Sequence, residues 1–224
     1  MLQPVGPEIW HQQHNLSVFG VRASSRMTVV RLDGGRLWLH SPIPISPALR
    51  TQLDSLGQVA YIIAPNRFHH LYAGPCAAEF PSATVFGAPG LETKRRDLPM
   101  RQLGDLPEPG WERELGQVFV EGVPALNETV WYHYRSRTLI ITDLCHYITG
   151  DLPLSSRLYA GVMGVHHRLA VSNGVRLAIR DRAALARSVR KILEWDVERV
   201  VFAHNVILER NAYAALKHAL EDVL

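Results

Sequence analysis

Two cysteines, Cys76 and Cys145, are all that the 224 residues contain. That is too few for a disulfide framework, and both thiols are expected to be reduced. No apolar stretch approaches the roughly 20 residues that a membrane span needs, so no membrane partner is expected. The opening Met1-Leu2-Gln3-Pro4-Val5-Gly6-Pro7-Glu8 has neither a basic start nor an apolar core, which points away from a signal peptide and toward a cytoplasmic protein. Internal repeats and low-complexity segments are lacking as well. Charge of one sign is also scarce: the formal net charge is +3, the pI is near 9.0, and Lys94-Arg95-Arg96 is the only dense basic run. With no zinc-finger or RNA-recognition motif, nucleic acid is set aside as a partner. The mild positive balance suits a small anionic one.

What is present is the composition of a folded chain, 47% hydrophobic and 20% charged, and its length suits one domain over residues 1–224. Asn15 to Val21 and Met27 to Leu32 read as strands separated by Ala23-Ser24-Ser25, and Asp33-Gly34-Gly35 turns the chain into a third, Arg36 to His40. Ser46 is placed to cap a helix with Pro47 at its first position, Leu49, Leu53 and Leu56 as its apolar stripe and Gly57 as its stop. Val59 to Ala64 is too short for a helix and reads as a buried strand that Pro65 ends; Asn66 then caps a helix over Leu71 to Phe80. Thr84 to Ala88, Gln117 to Gly122, Thr129 to Tyr134, Thr138 to Thr142 and Val197 to Ala203 are further strands. Helices are expected over Leu152 to Gly164, after the cap Asp181, and over Tyr213 to Leu224. The order suggests an α+β fold in which two sheets pack face to face with helices outside.

Three apolar strands stop just before polar groups that would be costly inside a core: Ile62-Ile63 before His69 and His70, Leu139 to Ile141 before Asp143, and Val200 to Phe202 before His204. If these strand ends share one edge of the fold, imidazole nitrogens and a carboxylate oxygen meet there, a donor set suited to zinc or iron. Cys145 and His146 lie close enough to Asp143 to be substitute ligands or a base. His133, inside a strand, is expected to face solvent or a cross-strand partner, and His166-His167 to lie on a surface loop.

The phrases Gly35-Arg36-Leu37-Trp38-Leu39-His40-Ser41-Pro42-Ile43, Ala64-Pro65-Asn66-Arg67-Phe68-His69-His70-Leu71, Pro89-Gly90-Leu91-Glu92-Thr93-Lys94-Arg95 and Ser136-Arg137-Thr138-Leu139-Ile140-Ile141-Thr142-Asp143-Leu144 resemble an uncharacterised branch of the metallo-β-lactamase superfamily. The resemblance implies a four-layer αβ/βα sandwich with the site at one edge of the two sheets. Aligned with the superfamily's H-x-H-x-D-H motif, Pro65 and Arg67 replace the first two histidines, His69 replaces the aspartate, and His70 is unchanged. The third histidine falls near Pro124, the bridging aspartate on Asp143 and the last histidine on His204, while the early strand-end aspartate falls on His40 or Ser41.

All three histidines of the first metal position are therefore lost, whereas the second retains His69, His70, Asp143 and His204. The resemblance implies one divalent metal held by those four, with zinc first and iron or manganese as alternatives. Asp143 and His69 are expected to carry catalysis, and Arg67 to bind an anionic substrate. Two functions stay open: a mononuclear hydrolase of an ester, thioester or phosphoester, and a degenerate, non-catalytic member that binds a small anion or a protein partner in the same cleft. A homodimer is open as an assembly.

Overall fold

The computed structural model describes residues 1–18 and 21–224. Two sheets account for its strands. The first begins with β1 (Gln3–Gly6), β2 (Ile9–Val18), β3 (Val21–Arg31) and β4 (Arg36–His40), each antiparallel to the one before. The chain then crosses through α1 (Pro47–Leu56) to β5 (Gln58–Ala64), and through α2 (Ala73–Glu79) to β6 (Thr84–Gly87). The short α3 (Leu91–Lys94) leads to β7 (Arg101–Gln102), and β4 to β7 run parallel. Strands this buried on both faces read as continuous apolar runs, as Ile62-Ile63-Ala64 does.

The second sheet is ordered β12-β11-β10-β9-β8. β8 (Leu115–Phe119), β9 (Thr129–His133) and β10 (Thr138–Ile141) form an antiparallel meander. Helices α4 (Leu154–Val162), α5 (Asn173–Ala178) and α6 (Arg182–Leu193) intervene before β11 (Arg199–Phe202), which lies parallel to β10, and β12 (Ile207–Leu208) precedes α7 (Ala212–Glu221).

Three apolar clusters stack these elements into four layers. Leu49 and Leu53 of α1 and Cys76 of α2 cover the outer face of the first sheet at Val29, Leu39 and Ile62. Trp38, Ile63, Trp131, Ile140 and Val201 fill the space between the sheets. Leu185 and Val189 of α6 and Leu216 and Leu220 of α7 cover the second sheet at Val130, Leu139 and Val200. This is the α+β, metallo-β-lactamase-like architecture of two sheets with seven helices among the described residues.

Local chemistry explains most boundaries. Ser46 Oγ accepts the Leu49 N–H at 3.2 Å at the start of α1, and Asp181 caps α6 by accepting the Ala184 N–H at 2.9 Å. Gly57 ends α1 where a Cβ would sit 2.0 Å from the Gly35 carbonyl, so only glycine lets α1 return against the turn before β4. Two expectations need correction. Ala23-Ser24-Ser25 does not separate two strands but lies inside β3, paired with Leu16, Asn15 and His14 of β2, because the long hairpin satisfies its backbone groups. Residues 19 and 20, within the expected strand Asn15 to Val21, fall outside the described residues. The helix expected from Leu71 starts at Ala73, since the preceding residues form turns. Of the two placements expected for His133, solvent is excluded: the residue is buried opposite Thr138 and Leu115 in the sheet, its Nδ1 lies 2.7 Å from Ser136 Oγ, and burial pushes its pKa down to about 4.

Candidate metal centre

Parallel pairs in each sheet, β4 with β5 and β10 with β11, bring four strand C-termini to one edge of the sandwich. Ser41 follows β4, Asn66 and His69 follow β5, Thr142 and Asp143 follow β10, and His204 follows β11. Polar side chains are cheap there because the strands have already left the core.

His69, Asp143 and His204 converge, with one donor atom from each within 4.8 Å of the others. His69 Nε2 lies 3.1 Å from His204 Nε2 and 3.4 Å from Asp143 Oδ2, and His204 Nε2 lies 3.1 Å from Asp143 Oδ1. The far side of each ring is anchored. His69 Nδ1 is 2.7 Å from Ser41 Oγ, and His204 Nδ1 is 2.5 Å from the Ser24 carbonyl oxygen. Ser41 adopts a left-handed backbone (φ 52°), a costly conformation for a residue with a side chain, and its N–H donates to the Ile63 carbonyl.

Beneath these residues lies a polar support that the sequence did not announce. The fully buried Glu128 accepts the Thr142 N–H at Oε1, and the Asp143 and Leu144 N–H groups at Oε2, all within 3.0 Å. Asn66, equally buried, donates from Nδ2 to Asp143 Oδ2 at 2.7 Å and to Thr142 Oγ1 at 2.9 Å, while its Oδ1 accepts the Phe68 and His69 N–H groups. Asn66 is thus the cap of the turn that carries His69, not of a helix, and it ties that turn to Asp143. Burial and the nearby Asp143 carboxylate push the Glu128 pKa up to about 7. Burial would raise Asp143 too, but the His69 charge and hydrogen bonds from His146, His204 and His69 outweigh it and hold Asp143 well below the usual carboxylate range. For His204, burial opposes the charged form, and the bond to Asp143 overrides it to raise the pKa.

The other expected residues stand apart. His70 does not join the cluster: its Nδ1 is 3.3 Å from Arg95 Nη1, which also donates to the His70 carbonyl at 2.9 Å. Burial and the Lys94 and Arg95 charges push its pKa down to about 4. In a tight turn two consecutive histidines diverge, so only one can face Asp143. Arg67 forms no ion pair among the described residues; its Nη1 reaches the Pro124 carbonyl at 3.4 Å. Cys145 is packed in the core on the helix side of the second sheet and is not part of the donor cluster; burial raises its thiol pKa. His146 does face the cluster, with Nε2 3.3 Å from Asp143 Oδ1.

Solved structures with the same architecture place the chain. DIM-1 metallo-β-lactamase, exposed to ceftazidime, superposes with a TM-score of 0.66 at 14% identity over 100% of this chain and 97% of that one. FIM-1 metallo-β-lactamase from Pseudomonas aeruginosa, in its mono-zinc form, gives 0.65 at 9% identity over 99% and 95%. The metal-soaked Flv1 flavodiiron core from Synechocystis sp. PCC6803 gives 0.66 at 12% identity over 100% of this chain but 60% of that one. At such identities the likeness shows the fold, that of a metallo-β-lactamase-like protein. A family model described as a domain of unknown function, DUF4336, matches residues 7–176, and the chain belongs to that family. No curated protein matches it.

Proposed function

We propose that His69, Asp143 and His204 hold a single divalent ion and that the protein is a mononuclear metal-dependent hydrolase of an ester, thioester or phosphoester. One observation carries this reading. A carbonyl oxygen only accepts hydrogen bonds, so the 2.5 Å contact with Ser24 places a proton on His204 Nδ1. The neutral ring then turns the lone pair of Nε2 toward a carboxylate oxygen and a second imidazole nitrogen, each 3.1 Å away. Such an arrangement calls for a cation among the three donors, either an extra proton on the ring or a metal. A metal satisfies all three at once.

The donor set fits. A tetrahedral ion with bonds of about 2.0–2.1 Å needs donor–donor separations of about 3.3 Å; the two imidazole nitrogens are 3.1 Å apart, His204 is 3.1 Å from Asp143 Oδ1, His69 is 3.4 Å from Asp143 Oδ2, and one donor from each residue lies within 4.8 Å of the others. Ligand histidines characteristically donate their other ring N–H to a carbonyl or polar oxygen, as His204 does to Ser24 and as His69 is placed to do to Ser41. Zinc suits this imidazole and carboxylate set first, with iron and manganese as alternatives. An ion held there supplies Lewis acidity toward a carbonyl or phosphoryl oxygen. Ser41 orients His69, and Asn66 with Glu128 orient Asp143. Arg67, with no carboxylate partner among the described residues, binds an anionic group of the substrate. By the alignment, Arg67 and Pro124 stand where the first metal position loses its histidines, so one fixed positive charge takes the place of one ion.

The test is metal content by mass spectrometry of untagged protein beside His204→Ala. The expected result is about one equivalent in the parent and none in the variant. A parent that neither carries nor takes up zinc, iron or manganese would overturn the reading, and Arg67 would then mark an anion-binding protein instead.

A further inference from the structure

The ion proposed above has two imidazole ligands and a carboxylate, yet a third imidazole stands at the same carboxylate. We infer that His146 is a fourth protein ligand, so that the centre is built from three histidines and one aspartate; this inference rests on the single-ion reading.

The local sequence turns His146 toward the site. In Asp143-Leu144-Cys145-His146, Leu144 and Cys145 are completely buried in the core beneath the second sheet. The two polar side chains on either side of this apolar pair are thereby left facing the open edge. The backbone of His146 is fixed by a two-bond bridge: its N–H donates to the Ala170 carbonyl at 2.9 Å, and its carbonyl accepts the Ala170 N–H at 3.1 Å. That bridge anchors the segment after β10 to a chain region beyond α4, so the backbone that carries the ring is held without help from the cluster.

The ring geometry supports ligation. His146 Nε2 lies 3.3 Å from Asp143 Oδ1, the separation expected between two ligands of one tetrahedral ion with bonds of about 2.0–2.1 Å; it stands outside the trio whose donors are mutually within 4.8 Å, so ligation draws its ring inward from this position. The ring stacks on His204 with centroids 5.6 Å apart and planes inclined by 14°, so both imidazoles present Nε2 to the same carboxylate oxygen side by side. His146 Nδ1 is buried and has no hydrogen-bond partner among the described residues. Unlike His69 and His204, the ring thus has no partner on its far nitrogen, so no competing bond fixes its tautomer and ligation rests on Nε2 alone.

This assignment moves the fourth ligand from the residue next to His69, where the motif alignment puts His70, to one three positions beyond Asp143. It also changes the chemistry. Four protein donors close a tetrahedral ion, so catalysis needs expansion to five ligands, which iron and manganese accept readily and zinc accepts at times.

The test is titration of metal-free protein with Co(II), followed by visible absorption and by competition for affinity. Wild type, His146→Ala, His146→Gln and His204→Ala are compared, and circular dichroism confirms the fold of each. The expected result is one Co(II) per wild-type chain, at least tenfold weaker binding by both His146 variants with an altered d–d spectrum, and recovery of the wild-type spectrum when free imidazole is added to His146→Ala. A His146 that only steadied Asp143 would lower affinity while leaving the spectrum unchanged and imidazole without effect, and that outcome overturns the inference. So do His146 variants indistinguishable from wild type; in that case His204→Ala still loses the metal and the single-ion reading survives. Wild type that takes no metal defeats both.

Discussion

Glu128 is a single side chain on which the bend after β10 depends. Its two oxygens accept three successive amide N–H groups, those of Thr142, Asp143 and Leu144. Glu128→Gln keeps the volume but sets an amide NH₂ donor against backbone donors, leaving buried groups unpaired at a cost of about 1–3 kcal/mol. Urea denaturation is expected to show that loss, and metal affinity to fall with it because Asp143 is no longer held; an unchanged midpoint would remove Glu128 from this role. Buried histidines give a second prediction at the same scale. Burial pushes the pKa of His11 and His133 down to about 4, and that of His40 well below its usual value. Between pH 6.5 and about 4 the unfolded chain binds protons that the folded chain refuses, so stability falls as pH falls through that window. For His133, shifted by about 2.5 units at 1.36 kcal/mol per unit, the loss is at most about 3 kcal/mol. Denaturation at pH 7.5 and pH 4.5 measures it, and His133→Gln is expected to flatten the difference.

Among the elements, β3 and the loop after β11 are locked together by a buried arginine. Arg26 donates to the carbonyls of Phe202, Asn205 and Val206, to Gln13 and to His11, and burial lowers its pKa to about 10. Ser24, two residues earlier on β3, accepts from His204 at its carbonyl oxygen and from the Asn205 N–H at its hydroxyl oxygen, the latter at 2.9 Å. One strand of the first sheet thus sets the position of a site residue from the second. Arg26→Lys keeps the charge but cannot span three carbonyls. The expected loss is about 1.5–3 kcal/mol of stability, read by denaturation, together with faster amide exchange over residues 203–208; exchange at the wild-type rate would show the clamp to be unnecessary. Neither link was legible in the chain. Strand ends at Asp143 and His204 could be read because an apolar run that halts before a charge reports its own boundary. Arg26 sits inside an unremarkable strand and Glu128 just before one, and their partners lie 176 and 14 residues away. His70 misled for a related reason: motif position says nothing about which way a turn aims two adjacent rings.

At the scale of the whole molecule the layers were the legible part, since alternating helical and strand-like apolar runs leave few ways to cover two sheets. The centre was only half legible, because it draws one residue from each of several strand ends and the sequence does not say which ends meet. The proposed ion at such a junction would tie the two sheets together, and would be a stability term as well as a chemical one. An ion that binds the folded chain alone at about 100 times its Kd adds about 2.7 kcal/mol. For a chain of this size each kcal/mol moves Tm by about 2–4 °C, so chelation is expected to lower Tm by about 5–10 °C. The same chelator leaves His204→Ala unmoved, since that variant has no ion to lose. Calorimetry with and without chelator separates the cases: equal Tm values for wild type in both would mean that His69, Asp143 and His204 are held together by protons alone.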